Sequence, residues 1–232
     1  MPVLMEGWMV DYSYQMPSVP REAIPQKDGE SYAIVPSTPT GLVSPDTLRR
    51  VADVAEKYKT LIKLTNAQRI ALVGFTRENI NSAVEELGIP LATASGSVVR
   101  SIKACPGTAA CKFGAQDSLS LALELDKRYQ GMTLPAKFKI AVSGCPNSCA
   151  EAAVVDLGVI GVKKGFKVLV GGTAGMRPRI GDVLTSAETK EEVLDLAEKI
   201  INYYSIAAKP GERMGRLIER IGLDEFRREV LA

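Results

Sequence analysis

Four cysteines carry the most specific chemistry in this chain. They form two pairs, Cys105-Pro-Gly-Thr-Ala-Ala-Cys111 and Cys145-Pro-Asn-Ser-Cys149, with 33 residues between the pairs. Three chemistries use four thiols. Disulfides belong to exported chains, and no basic start followed by an apolar run and a cleavage site is found here. A structural zinc site draws its thiolates from tighter knuckles than C-x5-C. An iron–sulfur cluster accepts four thiolates at varied spacings. The first cysteine of each pair precedes a proline and follows closely on a strand-like run, which suits thiolates presented at the end of a sheet. The spacing fits the cluster best and leaves zinc, and free or bridged thiols, open.

The 232 residues include no histidine. This excludes His-ligated metals, Ser-His-Asp and Cys-His catalysis, and leaves proton transfer to Lys, Arg, Tyr, a carboxylate or water. Lys137 and Lys139 alternate on one strand, so both point to the same face. Without further context such a pair reads as the solvated face of a strand. With 29 basic and 27 acidic residues, the net charge of +2 gives no bulk attraction for nucleic acid. No uncharged apolar stretch is long enough to span a bilayer.

The elements that must position these groups are legible in outline. Residues 1–29, with Trp8, Tyr12, Tyr14, Met16, Pro17, Pro20 and Pro25, show no period of 2 or 3.6 and read as an extended arm. Strands are expected over 31–37, 60–65, 69–75 and 97–104. One helix starts at Ser44-Pro45, and a second is capped by Thr76 and ends at Gly88. The order β-α-β-β-α-β predicts a two-layer ferredoxin-like domain over residues 30–104. A mixed α/β domain follows over 105–185, with a helix over 116–129 and strands over 137–143, 154–162 and 165–170. Thr185-x-x-Glu188 reads as a capping box opening C-terminal helices over 186–232. The fold class is α+β.

Three segments make the sequence resemble the sirohaem-containing nitrite and sulfite reductase family. They are Val99-Arg100-Ser101-Ile102-Lys103-Ala104-Cys105-Pro106-Gly107, residues 134–149 from Leu-Pro-Ala-Lys-Phe-Lys through Ser-Gly-Cys-Pro-Asn-Ser-Cys, and Val170-Gly171-Gly172. The resemblance runs from about residue 31 to 225 and is strongest between 98 and 182. It implies that Cys105, Cys111, Cys145 and Cys149 bind one 4Fe-4S cluster and that Cys149 also ligates the sirohaem iron. It implies a six-electron reduction of sulfite to sulfide, or of nitrite to ammonia, in which a small anion must be held and each oxygen must leave as water. Lys137 and Lys139 match the family's active-site lysines, and Arg100 a substrate-binding arginine. Lys63 stands where the family has a distal-site arginine. Sirohaem carries eight carboxylates, for which Arg69, Lys103, Lys112, Arg177 and Arg179 are candidate partners. Asn147 is a candidate hydrogen-bond donor near the cofactor. Gly107 and Gly144 let backbone approach the cluster closely.

Two departures from the family pattern matter. Ser37, in Pro36-Ser37-Thr38-Pro39-Thr40-Gly41, stands where the family carries an arginine before a Pro-Gly-Gly turn. The chain also holds one copy of an architecture that many members hold twice, so a second protomer in a homo-oligomer, or the arm 1–29, is expected to cover the open edge of the site. No G-x-G-x-x-G fingerprint appears, and a ferredoxin or other protein donor is expected to supply electrons. The expected location is the cytoplasm. The rival from another class is a non-catalytic 4Fe-4S electron carrier without sirohaem. The lysine pair argues against it, because a carrier needs no anion pocket.

Overall fold

Ile24–Pro25 (β1), Tyr32–Ile34 (β2), Leu61–Leu64 (β3) and Ile70–Phe75 (β4) pair antiparallel in the order β1-β2-β4-β3. They belong to a computed structural model that describes residues 19–232. The arm residues Trp8, Tyr12, Tyr14, Met16 and Pro17 lie outside that range. Two helices, Pro45–Tyr58 (α1) and Ile80–Leu87 (α2), pack with this sheet. Ser44 caps α1 as its sequence position predicts, its hydroxyl accepting from the Thr47 N–H at 3.0 Å. The α2 helix begins later than Thr76. The Asn79 carboxamide accepts from the Thr76 N–H at 2.9 Å, which makes a turn of 76–79 before the helix can start. Val51, Val54, Ala55, Ile80 and Leu87 bury their side chains with Ile34, Leu72 and Phe75.

The second sheet has the order β5-β6-β7-β8-β9: Val99–Ala104, Phe138–Ser143, Leu157–Gly161, Phe166–Val170 and Asp182–Ala187. The first three strands are parallel and the rest antiparallel. Here the structure departs from the ferredoxin-like order. The β5 strand was expected to complete the first sheet, but it pairs with β6, placing Ile102 opposite Ile140 and Lys103 opposite Ala141. It is buried along nearly its whole length, as a strand in a covered parallel sheet must be. Its place beside β2 is taken by β1, which comes from the segment read as an arm.

One face of the second sheet is closed by Ser118–Tyr129 (α3), Lys190–Ala207 (α4), Met214–Ile221 (α5) and Leu223–Leu231 (α6). Phe138 and Tyr204 meet in that core at 5.3 Å between ring centroids. The capping box sits four residues beyond its expected position. Thr185 is a strand residue of β9 paired with Val168. Thr189 caps α4 by accepting from the Glu192 N–H at 3.1 Å, while the Glu192 carboxylate accepts from the Glu188 N–H at 2.8 Å. The charged tail over 212–230 is two helices, divided at Gly222.

Two contacts lock the first sheet to the second. The Gln68 carboxamide donates to the Ala104 carbonyl at 2.7 Å and accepts from the Ala104 N–H at 2.9 Å, acting as one more strand neighbour for the end of β5. Arg69 reaches from the start of β4 to α3, where its Nη2 meets Asp126 at 3.0 Å and Gln130 at 3.1 Å. The Arg69 and Asp126 side chains are 2% and 8% exposed. Removing one member strands the other charge in the interior. Arg69→Met or Asp126→Leu alone is therefore expected to lower stability by about 3 kcal/mol. The double variant should lose much less than the sum. Urea unfolding of the three variants checks this, and additive losses would contradict it.

Candidate active site

Neighbouring parallel strands end on the same side of a sheet, and open α/β sheets bind their ligands beyond those carboxyl ends. β5 ends at Ala104 and β6 at Ser143, so Cys105 and Gly144-Cys145 emerge together. The Cys105 N–H donates to the Val142 carbonyl at 3.2 Å, and the Gly144 N–H donates to Cys105 Sγ at 3.1 Å. The two loops touch through backbone. A Cβ on Gly144 would lie 2.6 Å from Gly107 Cα, and one on Gly107, at φ +52°, would lie 2.4 Å from Ser118 Oγ. Only glycine permits this approach.

All four cysteines are free thiols: Cys145 is buried, Cys105 and Cys111 are half-buried, and Cys149 is exposed. Among the described residues no three His, Cys, Asp or Glu side chains close around a single metal ion. The cysteines stand on two touching loops instead. Burial pushes the Cys105 thiol up, but the Gly144 N–H, the Ser118 hydroxyl and the Gly107 N–H together bring it below the usual thiol range.

A basic cavity of about 280 Å3 lies beside these loops, lined by Lys103, Lys137, Lys139 and Arg213 together with Asn66 and Glu151. Lys103 is ion-paired with Glu151, two residues beyond Cys149, and this pair ties the cavity to the second cysteine loop. Lys139 stands below the ordinary lysine range. Burial is the main cause, followed by the charges of Lys137, Lys103 and Arg213, while Asp156 acts the other way. On its other side Lys139 lines a second cavity with Arg100, whose Nε donates to the Gly96 carbonyl at 2.8 Å.

The remaining sequence candidates are spread more widely. Arg177 lines a third cavity together with Lys137 and Arg213. Arg179 is occupied: it donates to the Gly171 carbonyl at 3.0 Å and pairs with Asp182 at 2.5 Å and Glu219 at 3.6 Å. Arg69 lines the cavity of Arg100 and Lys139, but its charge is neutralised inside the protein by Asp126. Lys63 is exposed on β3, opposite Ala71, and lines none of the three cavities that hold Lys137 or Lys139. Lys112 is exposed, its ammonium 4.9 Å from the Phe113 ring centroid. Asn147 is exposed between Cys145 and Cys149.

Sequence reasoning missed Arg213 and its partner Asp156. Asp156 is fully buried, and Arg213 meets it with Nε at 2.9 Å and Nη2 at 2.6 Å. A signal was present: Asp156 is a lone carboxylate inside the apolar run 154–162, and a buried carboxylate needs a cationic partner.

Residues 95–232 match the family model described as the nitrite and sulphite reductase 4Fe-4S domain, and residues 24–88 match the nitrite/sulfite reductase ferredoxin-like half domain. The chain belongs to the nitrite and sulfite reductase family. Over 217 residues it is 41% identical to the assimilatory-type sulfite reductase of Nitratidesulfovibrio vulgaris, covering 93% of this chain and 100% of that one. It is 42% identical over 199 residues to the NAD(P)H nitrite reductase of Bacillus subtilis, covering 85% of this chain and 25% of the relative. The fold matches a crystal structure of dissimilatory sulfite reductase I with a TM-score of 0.76 at 17% identity, covering 87% of this chain and 69% of that one. It also matches the Mycobacterium tuberculosis NirA protein with a TM-score of 0.74 at 19% identity, covering 87% and 40%. The enzyme is an oxidoreductase of this family, whose cofactors are a 4Fe-4S cluster and sirohaem.

The residues present fit both groups. Cys105, Cys111 and Cys145 stand at a glycine-to-glycine contact with Cys149 four residues further along the second loop, and the Cys105 thiol already accepts a backbone N–H, as a cluster-bound thiolate does. The adjoining cavity carries four cations against one lining carboxylate, as a polycarboxylate macrocycle or a small oxyanion requires. Lys137→Gln is expected to raise the pKa of Lys139, because one repelling charge is removed. Acylation of the Lys139 amine in the cofactor-free chain at fixed alkaline pH should then slow, and an unchanged rate would show that the two ammonium groups do not sense each other.

Proposed function

We propose that this enzyme reduces sulfite to sulfide by six electrons, with Cys105, Cys111, Cys145 and Cys149 holding the 4Fe-4S cluster and Cys149 also ligating the sirohaem iron. When bound, these cofactors would supply the electrons for reduction of the anion. The observation that carries this reading is the meeting of Lys103, Lys137 and Lys139 in one cavity that borders the segment after Cys149. Similarity to the assimilatory-type sulfite reductase along that relative's full length supports sulfite as the substrate.

The side chains account for what the reaction needs from protein. An oxyanion is drawn to fixed ammonium groups, and departing oxygens need protons at the moment they leave. Lys139 serves the second need, since burial and like charges make its ammonium a readier acid than a solvated lysine. Lys137, exposed at the rim, serves capture. Arg100 shares a cavity with Lys139 and is proposed to bind substrate from that side. Lys63, Arg69, Lys112 and Arg179 have weaker claims, being exposed apart from these cavities or already paired. Asn147, on the cysteine loop, and Arg177, at the rim, keep their proposed places beside the macrocycle.

Among the described residues no helix is long and apolar enough to cross a membrane. The proposed working compartment is the cytoplasm, and the proposed electron donor is a ferredoxin or similar protein. A second copy of the chain is proposed to cover the open edge. The edge strand β3, with Leu61 66% and Leu64 73% exposed, offers a second copy an apolar contact outside those cavities. Light scattering should give a dimer or larger, and a monomer at micromolar concentration would exclude it.

The purified enzyme should contain iron, labile sulfide and a strong Soret band, and should reduce sulfite with a reduced dye; nitrite assayed in parallel settles the preference. Cys149→Ser should abolish turnover even where cluster iron survives, and retained turnover removes its assigned role. Lys137→Ala and Lys139→Ala should each raise KM and lower kcat. Unchanged kinetics for both would return them to a solvated strand face.

A further inference from the structure

Asp156 is completely buried immediately before β7, yet it lines the cavity of Lys137 and Arg177 and bonds two residues, Lys139 and Arg213, that line the adjoining basic cavity. Its carboxylate accepts from the Lys139 backbone N–H at 2.9 Å and from Arg213 Nε and Nη2 at 2.9 and 2.6 Å. This bidentate pair is the strong, orienting kind of ionic hydrogen bond. It uses two of the five N–H bonds of the guanidinium. Among the described residues no acceptor is bonded to the other three, and the Arg213 side chain is 21% exposed. Those N–H bonds belong to a side chain lining both the cavity of Lys103, Lys137 and Lys139 and the cavity of Lys137 and Arg177.

The backbone on both sides of Arg213 is fixed. Before it, the Glu212 carboxylate is gripped by Arg220 through two bonds of 2.8 Å and by the Lys209 N–H at 2.9 Å. The Glu212 carbonyl accepts from the Tyr204 hydroxyl at 2.6 Å. After it, Gly215 is pressed on the glycine turn that follows β8, where a Cβ would lie 2.5 Å from the Gly171 carbonyl oxygen. The carboxylates lining the two cavities are already engaged: Glu151 with Lys103, Asp156 with Arg213, and Glu219 with Arg216 at 2.7 Å. Positive charge is therefore in surplus where Arg213 presents its open edge.

We propose that Arg213 is an anion-binding residue of this site, its open guanidinium edge taking an oxygen of a carboxylate or oxyanion held with Lys137 and Lys139, and that Asp156 is its positioning residue. Arginine suits the role because one edge can satisfy the buried carboxylate while another faces the ligand; a lysine ammonium is a point charge that cannot offer two planar edges. The assignment rests on the function proposed above. It adds the C-terminal helices, which otherwise only close the core, to the binding surface.

Arg213→Gln, Arg213→Lys and Lys137→Gln, purified with their cofactors, test it by two readouts that need no turnover. One is sirohaem retained per chain, relative to cluster iron and labile sulfide. The other is the sulfite concentration that half-saturates the shift of the visible spectrum. If the bound oxygen is a macrocycle carboxylate, Arg213→Gln should lose sirohaem severalfold while cluster iron stays. If it is the substrate's, sirohaem should stay and the half-saturating sulfite should rise about tenfold. Wild-type values on both readouts, with only a lower Tm, would overturn the proposal and leave Arg213 as a latch on Asp156. A loss in Lys137→Gln without one in Arg213→Gln defeats this inference alone, whereas no loss in either defeats the basic-cavity reading beneath it. Should Arg213→Gln fail to fold, Arg213→Lys keeps the ion pair but not the second edge. It should still lose on one readout, and full wild-type behaviour there overturns the proposal equally.

Discussion

The contact between Gly107 and Gly144 is the constraint on which the site depends. Each of these glycines lies two or fewer residues from a cysteine, and neither could bear a methyl group without meeting backbone or the Ser118 hydroxyl. Two parallel strands bring their ends together, but side chains on both loops would hold the cysteines apart. With no side chains between them, the Gly144 N–H can reach Cys105 Sγ and the loops act as one surface. Gly161, at the end of β7, extends the same packing: a Cβ there would lie 2.6 Å from the Gly144 carbonyl oxygen. The rest of the second sheet, with its helices on the opposite face, keeps these three strand ends in register.

The local signals were legible where a single residue fixes a single backbone event. Ser44-Pro45 opens a helix, Gly88 closes one, and strands end just before each cysteine pair. The choice of partner for a strand was not. Val99–Ala104 reads as a strand in either sheet, since alternation specifies a face and not a neighbour. What decides its place is burial on both sides, and the two-residue β1 fills the vacated edge. Thr185-x-x-Glu188 and Thr189-x-x-Glu192 have the same capping shape, and only the pairing of Thr185 across to β8 tells them apart. In the site, the lysines at 137 and 139 share a cavity as their alternation predicts. Residue type alone does not show the ion pairs of Arg179 with Asp182 and Glu219, or of Arg69 with Asp126, because Glu219 and Asp126 lie on elements distant in sequence. Arg213 was hidden by its setting in a charged tail, where one more arginine carries no signal.

The two buried ion pairs differ in what surrounds them. Arg69 and Asp126 are both nearly inaccessible and close on each other, so their work is to join β4 to α3. Asp156 is just as buried, but its partner is one-fifth exposed and stands at the edge of a cavity. The first arrangement consumes its charge within the core; the second carries a charge from the core to a surface where other cations already crowd.

That crowding has a cost which explains why the cavity is built on rigid elements. Lys103, Lys137, Lys139 and Arg213 repel one another, and the depressed affinity of Lys139 for its proton is one expression of it. Flexible side chains on a loop would relieve the repulsion by spreading apart. Here Lys103 and Lys139 rise from adjacent parallel strands, Lys103 is tied to Glu151, and Arg213 is clamped by Asp156 between two fixed stretches of backbone. The fold thus retains the repulsion instead of relaxing it, and on the function proposed above the anion is what offsets it.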